Sequence, residues 1–297
     1  MAEISFERLA GRTFVARGPS NVGLYDLGGG ECLFVDSGND DDAGKRLARA
    51  AEAFGLKPVL VANTHSHADH CGGNAWLQSR LGCAVAAPRT EAAFVERPIL
   101  EPSYAWGGFP LLPLRSKFLV AKESRVTEVL DPPCTLRDTG LRAIPLPGHS
   151  FAMAGYLTPD SVFFAADTLA SAEILAKYEV FVLYDVGAHL ATLDALAGIG
   201  AEWYVPSHAA PTRDIGPLVE LNKAKIGLVA DFLREACASP STPEELLKRL
   251  ALRFGIELNH TQYVLMGSTL RSYLAWLAGR KEVASRLEEG RLLFERC

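Results

Sequence analysis

The sequence predicts a layered α/β fold followed by a helical C-terminal segment. Three observations carry this expectation. Short apolar runs bounded by turn residues alternate with helical stretches over the first two thirds of the chain. The strand-like runs fall into two blocks, so the layers read as two similar halves. After His208 the apolar residues recur at helical spacing instead. With 297 residues, 48% of them apolar and 22% charged, the chain can bury a large core and has an ordinary globular composition.

In order, residues 13–17, 22–27 and 32–36 read as strands, with Gly28, Gly29 and Gly30 as a hairpin turn. Asp40, Asp41 and Asp42 open a helix over 43–54, where carboxylates suit the unpaired N–H groups of the first turn. Residues 58–62 form a buried strand, 74–81 a helix and 83–87 another strand. Residues 97–118 mix four prolines with Tyr104, Trp106 and Phe109. This is an irregular loop, either a wall over a site or a surface excursion packed by its own aromatics. Strands at 126–130, 141–146, 155–158 and 162–165 follow, then a helix at 190–196 and a strand at 202–205.

Beyond that, Ile215, Leu218, Val219, Ile226, Val229 and Leu233 mark a helix. Thr242, Pro243 and Glu245 form a capping-box start for a second over 244–254. A third spans 263–277, and 282–286 with 291–295 form a terminal hairpin. The expected domains are 1–212, carrying chemistry, and 213–297, mostly helical and open to a winged-helix-like arrangement.

Bulk charge narrows the function classes. The net charge is −5, with 17 basic and 24 acidic residues in 1–212 and 13 basic and 11 acidic in 213–297. A general nucleic-acid binder usually shows a basic face, so nucleic acid is a disfavoured partner. Residues 1–13 are polar and charged without the apolar core of a secretory leader. No apolar run reaches the ~18–20 residues of a membrane span. The expectation is a cytoplasmic protein with no membrane partner. Its six cysteines (Cys32, Cys71, Cys83, Cys134, Cys237, Cys297) form no CxxC pair and read as reduced, mostly buried thiols.

The chemistry concentrates in Thr64-His65-Ser66-His67-Ala68-Asp69-His70, which places three histidines and an aspartate within six residues. Imidazole and carboxylate are the ligands that borderline divalent metals prefer. In an extended loop, His65, His67 and Asp69 project to one side and His70 to another, which suits two adjacent metal positions. Three further candidates follow strand-like runs: His149 in Pro147-Gly148-His149-Ser150, Asp167 in Ala165-Ala166-Asp167-Thr168, and His208 in Pro206-Ser207-His208. Each is weak alone. Cys71, His189 and His260 read as packing or surface residues.

Taken in order with Leu33-Phe34-Val35-Asp36-Ser37-Gly38, these motifs resemble the metallo-β-lactamase-like hydrolase superfamily, which includes glyoxalase II-like thioesterases and lactonases. The resemblance covers roughly residues 12–212. It implies a four-layer αββα sandwich and two divalent metal ions, zinc foremost, with iron or manganese as alternatives. It implies one metal on His65, His67 and His149, a second on Asp69, His70 and His208, and Asp167 bridging them. Asp36 would support the site. Ser207 and Ala166 depart from the family's usual glycines, and both changes are expected to be tolerated. No separate organic cofactor is implied.

The implied activity is hydrolysis of an ester, thioester, lactone or amide bond in a small molecule. A hydroxide bridging the metals would be the nucleophile, and Asp69 would act as the proton-handling catalytic residue. The alternatives are an endoribonuclease or phosphodiesterase of the same superfamily, a mononuclear-iron sulfur dioxygenase, and a non-catalytic binding protein. The C-terminal helices would support a homodimer or wall the site.

Overall fold

A computed structural model of the protein describes residues 4–297. The first three residues of the polar N-terminal stretch lie outside the described residues.

Seven strands make the first sheet, in chain order: β1 (Phe6–Ala10), β2 (Thr13–Ala16), β3 (Val22–Gly28), β4 (Glu31–Val35), β5 (Lys57–Ala62), β6 (Ala84–Pro88) and β7 (Glu128–Leu130). The first four pair antiparallel, and β4 to β7 pair in parallel. Helices α1 (Asp41–Glu52), α2 (Ala68–Cys71), α3 (Asn74–Leu81), α4 (Arg89–Glu96) and α5 (Leu100–Trp106) interrupt them.

The second sheet is formed by β8 (Cys134–Thr135), β9 (Arg142–Pro145), β10 (Ala154–Leu157), β11 (Val162–Ala170) and β12 (Trp203–His208). Helices α6 (Ala172–Tyr178) and α7 (Val186–Ala195) lie between β11 and β12. The chain closes with α8 (Gly216–Ala236), α9 (Pro243–Phe254), α10 (His260–Gly279) and a hairpin of β13 (Val283–Glu288) and β14 (Arg291–Arg296).

The period-two pattern of the strands explains the layers. In β4, Leu33 and Val35 face a core shared with Tyr156 and Phe164 of the second sheet, while Cys32 and Phe34 face Leu47 of α1 and Leu77 of α3. In β11, Phe164 joins that inter-sheet core, and Phe163 and Ala165 face a third core with Ile226, Leu250 and Leu274. Each sheet thus buries both faces, and the architecture is the four-layer αββα sandwich. The third core runs from Leu146 to Val283, so the C-terminal helices share it with the second sheet.

Several elements differ from the sequence expectation. The edge strand β1 falls in a stretch that reads as merely polar, because Phe6 is its one fully buried side chain. Residues 97–118 are more ordered than an irregular loop. They contain α5 and a 3₁₀ turn at Leu112–Leu114, and Leu114 and Leu119 are buried against Val264 of α10. This packing against a distant helix, rather than among the segment's own aromatics, orders it. Among the described residues no helix is long and apolar enough to cross a membrane.

Candidate metal centre

Both sheets deliver chemistry to the same edge. Strand β5 ends at Ala62 and runs directly into Thr64–His67, while α2 carries Asp69 and His70. The extended reading of this loop is corrected after His67. Residues 68–71 take a helical turn, so Asp69 joins His70 instead of following His65 and His67. His149 lies in the loop after β9, and His208 is the last residue of β12. Asp167 is not at a strand end, because β11 continues to Ala170 with irregular pairing around Ala166. Ala166 sits there at φ 51, a left-handed conformation that explains why glycine would be the easier residue.

Seven side chains converge. Donor atoms of His65, His67, His149 and Asp167 lie within 4.8 Å of one another, and so do those of Asp69, His70 and His208. Within the first cluster, His67 Nδ1 is 3.0 Å from His65 Nε2 and 3.1 Å from His149 Nε2. Asp167 reaches into both clusters. Its Oδ2 is 3.4 Å from His149 Nε2 and 3.1 Å from His208 Nε2, and its Oδ1 is 3.2 Å from His70 Nε2. Asp69 Oδ2 stands 3.4 Å from His70 Nε2 and 3.5 Å from His208 Nε2.

The opposite ring nitrogens set the tautomers. His149 Nδ1 donates to the Val182 carbonyl at 2.9 Å, and His208 Nδ1 to the Pro19 carbonyl at 2.8 Å. His70 Nδ1 lies 2.9 Å from Asp36 Oδ2. The Thr64 hydroxyl donates to Asp36 Oδ2 at 2.8 Å, which leaves its oxygen to accept from His65 Nδ1 at 3.0 Å. His67 Nε2 faces Glu101 Oε1 at 3.4 Å. With the outer nitrogen of each ring engaged, the inner nitrogens are free to present lone pairs toward one another.

Charge is unevenly distributed. Burial disfavours a charged imidazole throughout, and it prevails at His65, held well below the ordinary histidine range with His70 and His67 adding repulsion. It also prevails at His149, pushed down to about 3. Carboxylates overcome burial elsewhere. Asp167, Asp69 and Asp36 hold His70 well above its usual value. Glu101 raises His67 to about 9, and Asp167 raises His208 to about 9. Asp167 is buried, yet His208 and His70 keep it well below the carboxylate range. His67, His70 and His208 thus favour protons, which compete with metal for the same lone pairs, whereas His65 and His149 do not.

A family model described as the metallo-beta-lactamase superfamily matches residues 15–208. The chain belongs to the metallo-beta-lactamase superfamily. A protein called hydroxyacylglutathione hydrolase from Rhodopseudomonas palustris (strain BisB18) is 32% identical over 151 residues, covering 50% of this chain and 47% of its own length. The chain spans about half the length of the curated relatives it matches, or less. A metallo-beta-lactamase family protein from Thermus thermophilus shares the fold at TM-score 0.76 and 20% identity, over 96% of this chain and 99% of that one. A beta-lactamase domain protein from Burkholderia ambifaria does so at TM-score 0.78 and 19% identity, over 98% and 93%.

Two glutamates complete this superfamily member's centre, and neither has a motif that would single it out. Glu91 of α4 is fully buried. One carboxylate oxygen accepts from Ser66 N and Ser66 Oγ at 3.0 and 2.7 Å, and the other from Ser150 Oγ and Ala152 N at 2.8 and 2.7 Å. It therefore ties the loop bearing His65 and His67 to the loop bearing His149. Glu101 of α5 is the outer partner of His67. The sequence signal for these braces is indirect: a serine stands beside a candidate ligand at Ser66 and at Ser150. Cys71 donates to the Ser66 carbonyl at 3.1 Å, and burial pushes its thiol well up, so it acts as a packing and hydrogen-bonding group. His189 is buried, whereas His260 is exposed at the start of α10.

A cavity of about 250 Å3 opens onto the clusters. His67, Asp69, His149, Asp167 and His208 line one side, and Glu101, Phe118 and Leu119, side chains from 174–182 and α10 form the rest.

Proposed function

We propose that this chain is a metal-dependent hydrolase that cleaves an ester, thioester, lactone or amide bond in a small molecule. His65, His67 and His149 would hold one divalent metal and Asp69, His70 and His208 a second, with Asp167 shared. The observation that carries this reading is the convergence of inner imidazole nitrogens and carboxylates. His67 Nδ1 stands within hydrogen-bond reach of two other ring nitrogens at once, and the buried Asp167 carboxylate is surrounded by the imidazoles of His65, His70, His149 and His208. A cation resolves both features, and nitrogen with carboxylate donors suits zinc first. The names of curated relatives, hydroxyacylglutathione hydrolase and probable metallo-hydrolase, lend support.

Metals bound there would supply Lewis acidity, bringing the pKa of water toward about 7 and polarising the attacked oxygen. The chain's own groups would do the rest. Asp69 is the most exposed of the candidate ligands and faces the cavity, with Ser20 Oγ donating to its Oδ2 at 3.2 Å. That position lets its carboxylate orient the attacking water, take its proton and pass it to the departing group. The water oxygen bonds to the acyl carbon, the carbon–heteroatom bond breaks, and the leaving group departs protonated.

The test is metal analysis of the purified protein followed by a screen of thioesters and lactones. His67→Ala should abolish hydrolysis while leaving the circular dichroism spectrum unchanged. Activity at the wild-type level in that variant, or wild-type protein that hydrolyses substrates while binding no transition metal, overturns the reading.

A further inference from the structure

The geometry points to a substrate whose acyl group is compact, apolar and uncharged, selected by a wall that α10 contributes. This rests on the hydrolase reading and names its substrate class. The cavity beside the clusters is walled by Leu119, Val180, Phe181, Leu265 and Met266, with Gln262 as the neutral polar side chain on α10. Leu119, Val180 and Met266 are almost fully buried, and the Phe181 ring lies tilted over His149 with centroids 5.1 Å apart. An apolar face thus runs up to a candidate metal ligand.

The charges point the same way. Among the described residues no lysine or arginine lines this cavity, and its carboxylates outside the two clusters reduce to Glu101, which is engaged with His67. Along the apolar wall, away from the two clusters, a carboxylate at the far end of the acyl group would be desolvated without a cationic partner, and it would meet the negative side of Glu101. Size adds a limit. An apolar cavity of about 150 Å3 accommodates benzene, so a cavity of about 250 Å3 that also holds the space before the clusters leaves room on its apolar side for an acyl chain no larger than about hexanoyl or benzoyl.

The wall is a built feature. Leu265 and Met266 lie outside residues 15–208, the stretch matched by the superfamily model. Val264, beside them, packs with Leu114 and Leu119 in a small core of its own, which fixes α10 against the segment that follows α5. Half of the wall, Gln262, Leu265 and Met266, therefore stands on a helix that carries none of the candidate metal ligands, while Leu119, Val180 and Phe181 complete it from the matched stretch.

The experiment compares hexanoyl and adipoyl thioesters of N-acetylcysteamine, which share a leaving group and chain length and differ by a terminal carboxylate. In parallel, calorimetry compares the binding of hexanamide and adipamate. The wild type should cleave the hexanoyl ester with at least tenfold higher kcat/KM and bind hexanamide at least tenfold tighter. Gln262→Lys, at a half-buried position that tolerates charge, should shrink both ratios about tenfold. Equal or inverted ratios in the wild type overturn the proposal, as do ratios that Gln262→Lys leaves untouched. Selective hexanamide binding without cleavage of either ester supports the pocket and sinks the hydrolase reading. Equal cleavage of both esters does the reverse.

Discussion

His67 and His149 stand on loops joined through one buried carboxylate, Glu91, whereas His70 leans directly on Asp36, the residue that follows β4. Both clusters draw side chains from both sheets, so neither can form until the sheets have packed. They differ in how far each brace reaches. Glu91 touches the surroundings of the first cluster alone. Asp36 touches His70 and, through the Thr64 hydroxyl, also His65. Asp36 holds φ 65, a left-handed conformation uncommon outside glycine, and its carboxylate bonds to Thr64 N, Thr64 Oγ and His70 over-determine that position. One brace is local and the other is common to both clusters.

The largest expected effect comes from the residue the clusters share. Asp167→Asn keeps the volume and removes the charge that His70 and His208 face. Metal content should fall at both positions, and kcat/KM should drop on the order of a thousandfold or more. Inductively coupled plasma analysis alongside kinetics checks this. A variant that loses one metal and keeps the other tight would mean Asp167 belongs to a single cluster.

Next come the braces. In Glu91→Gln an amide nitrogen must face either the Ser66 pair or the Ser150–Ala152 pair, and an amide donor cannot accept from donors. Each buried group left unsatisfied costs about 1–3 kcal/mol, and metal affinity at the first cluster should weaken roughly 10- to 100-fold. The second cluster should keep its affinity. Asp36→Asn should weaken both, the second more. A chelator competition resolving two binding steps measures the pattern. Parallel loss of both steps in Glu91→Gln would show that the clusters behave as one unit through Asp167.

The candidate ligands stand out in the sequence and Asp36 with them, whereas the braces Glu91 and Glu101 do not, for a physical reason. Side chains that must meet a metal come in chemically distinctive types, and His65 to His70 crowd them into six positions. Buried alternation was equally readable, as β4 and β11 demonstrate by sorting successive residues into different cores. Glu91 and Glu101 are single glutamates on short helices, and their role exists only where α4 and α5 meet loops distant in sequence. The same holds for α5 itself, whose packing partner, α10, begins at His260. The helical turn at 68–71 is too short for a periodic pattern, so an extended reading carried one residue pair too far.

The smallest effect tests whether backbone strain contributes to the shared residue's position. Ala166 precedes Asp167 with φ 51 and is buried. A left-handed conformation costs a non-glycine residue about 1–2 kcal/mol, which Ala166→Gly would relieve. The variant would also lose a buried methyl group worth about 0.8 kcal/mol and gain unfolded-state freedom worth roughly 0.5–1 kcal/mol. These terms nearly cancel, so Tm should move by no more than roughly 2–4 °C. Asp167 should keep its place, because contact with His208 Nε2 at 3.1 Å and His70 Nε2 at 3.2 Å orients its carboxylate independently of residue 166. Calorimetric unfolding with metal titration checks both points. A fall in affinity at both positions with Tm unchanged would show that the twist at Ala166, and not the side-chain contacts alone, aims Asp167 between the clusters.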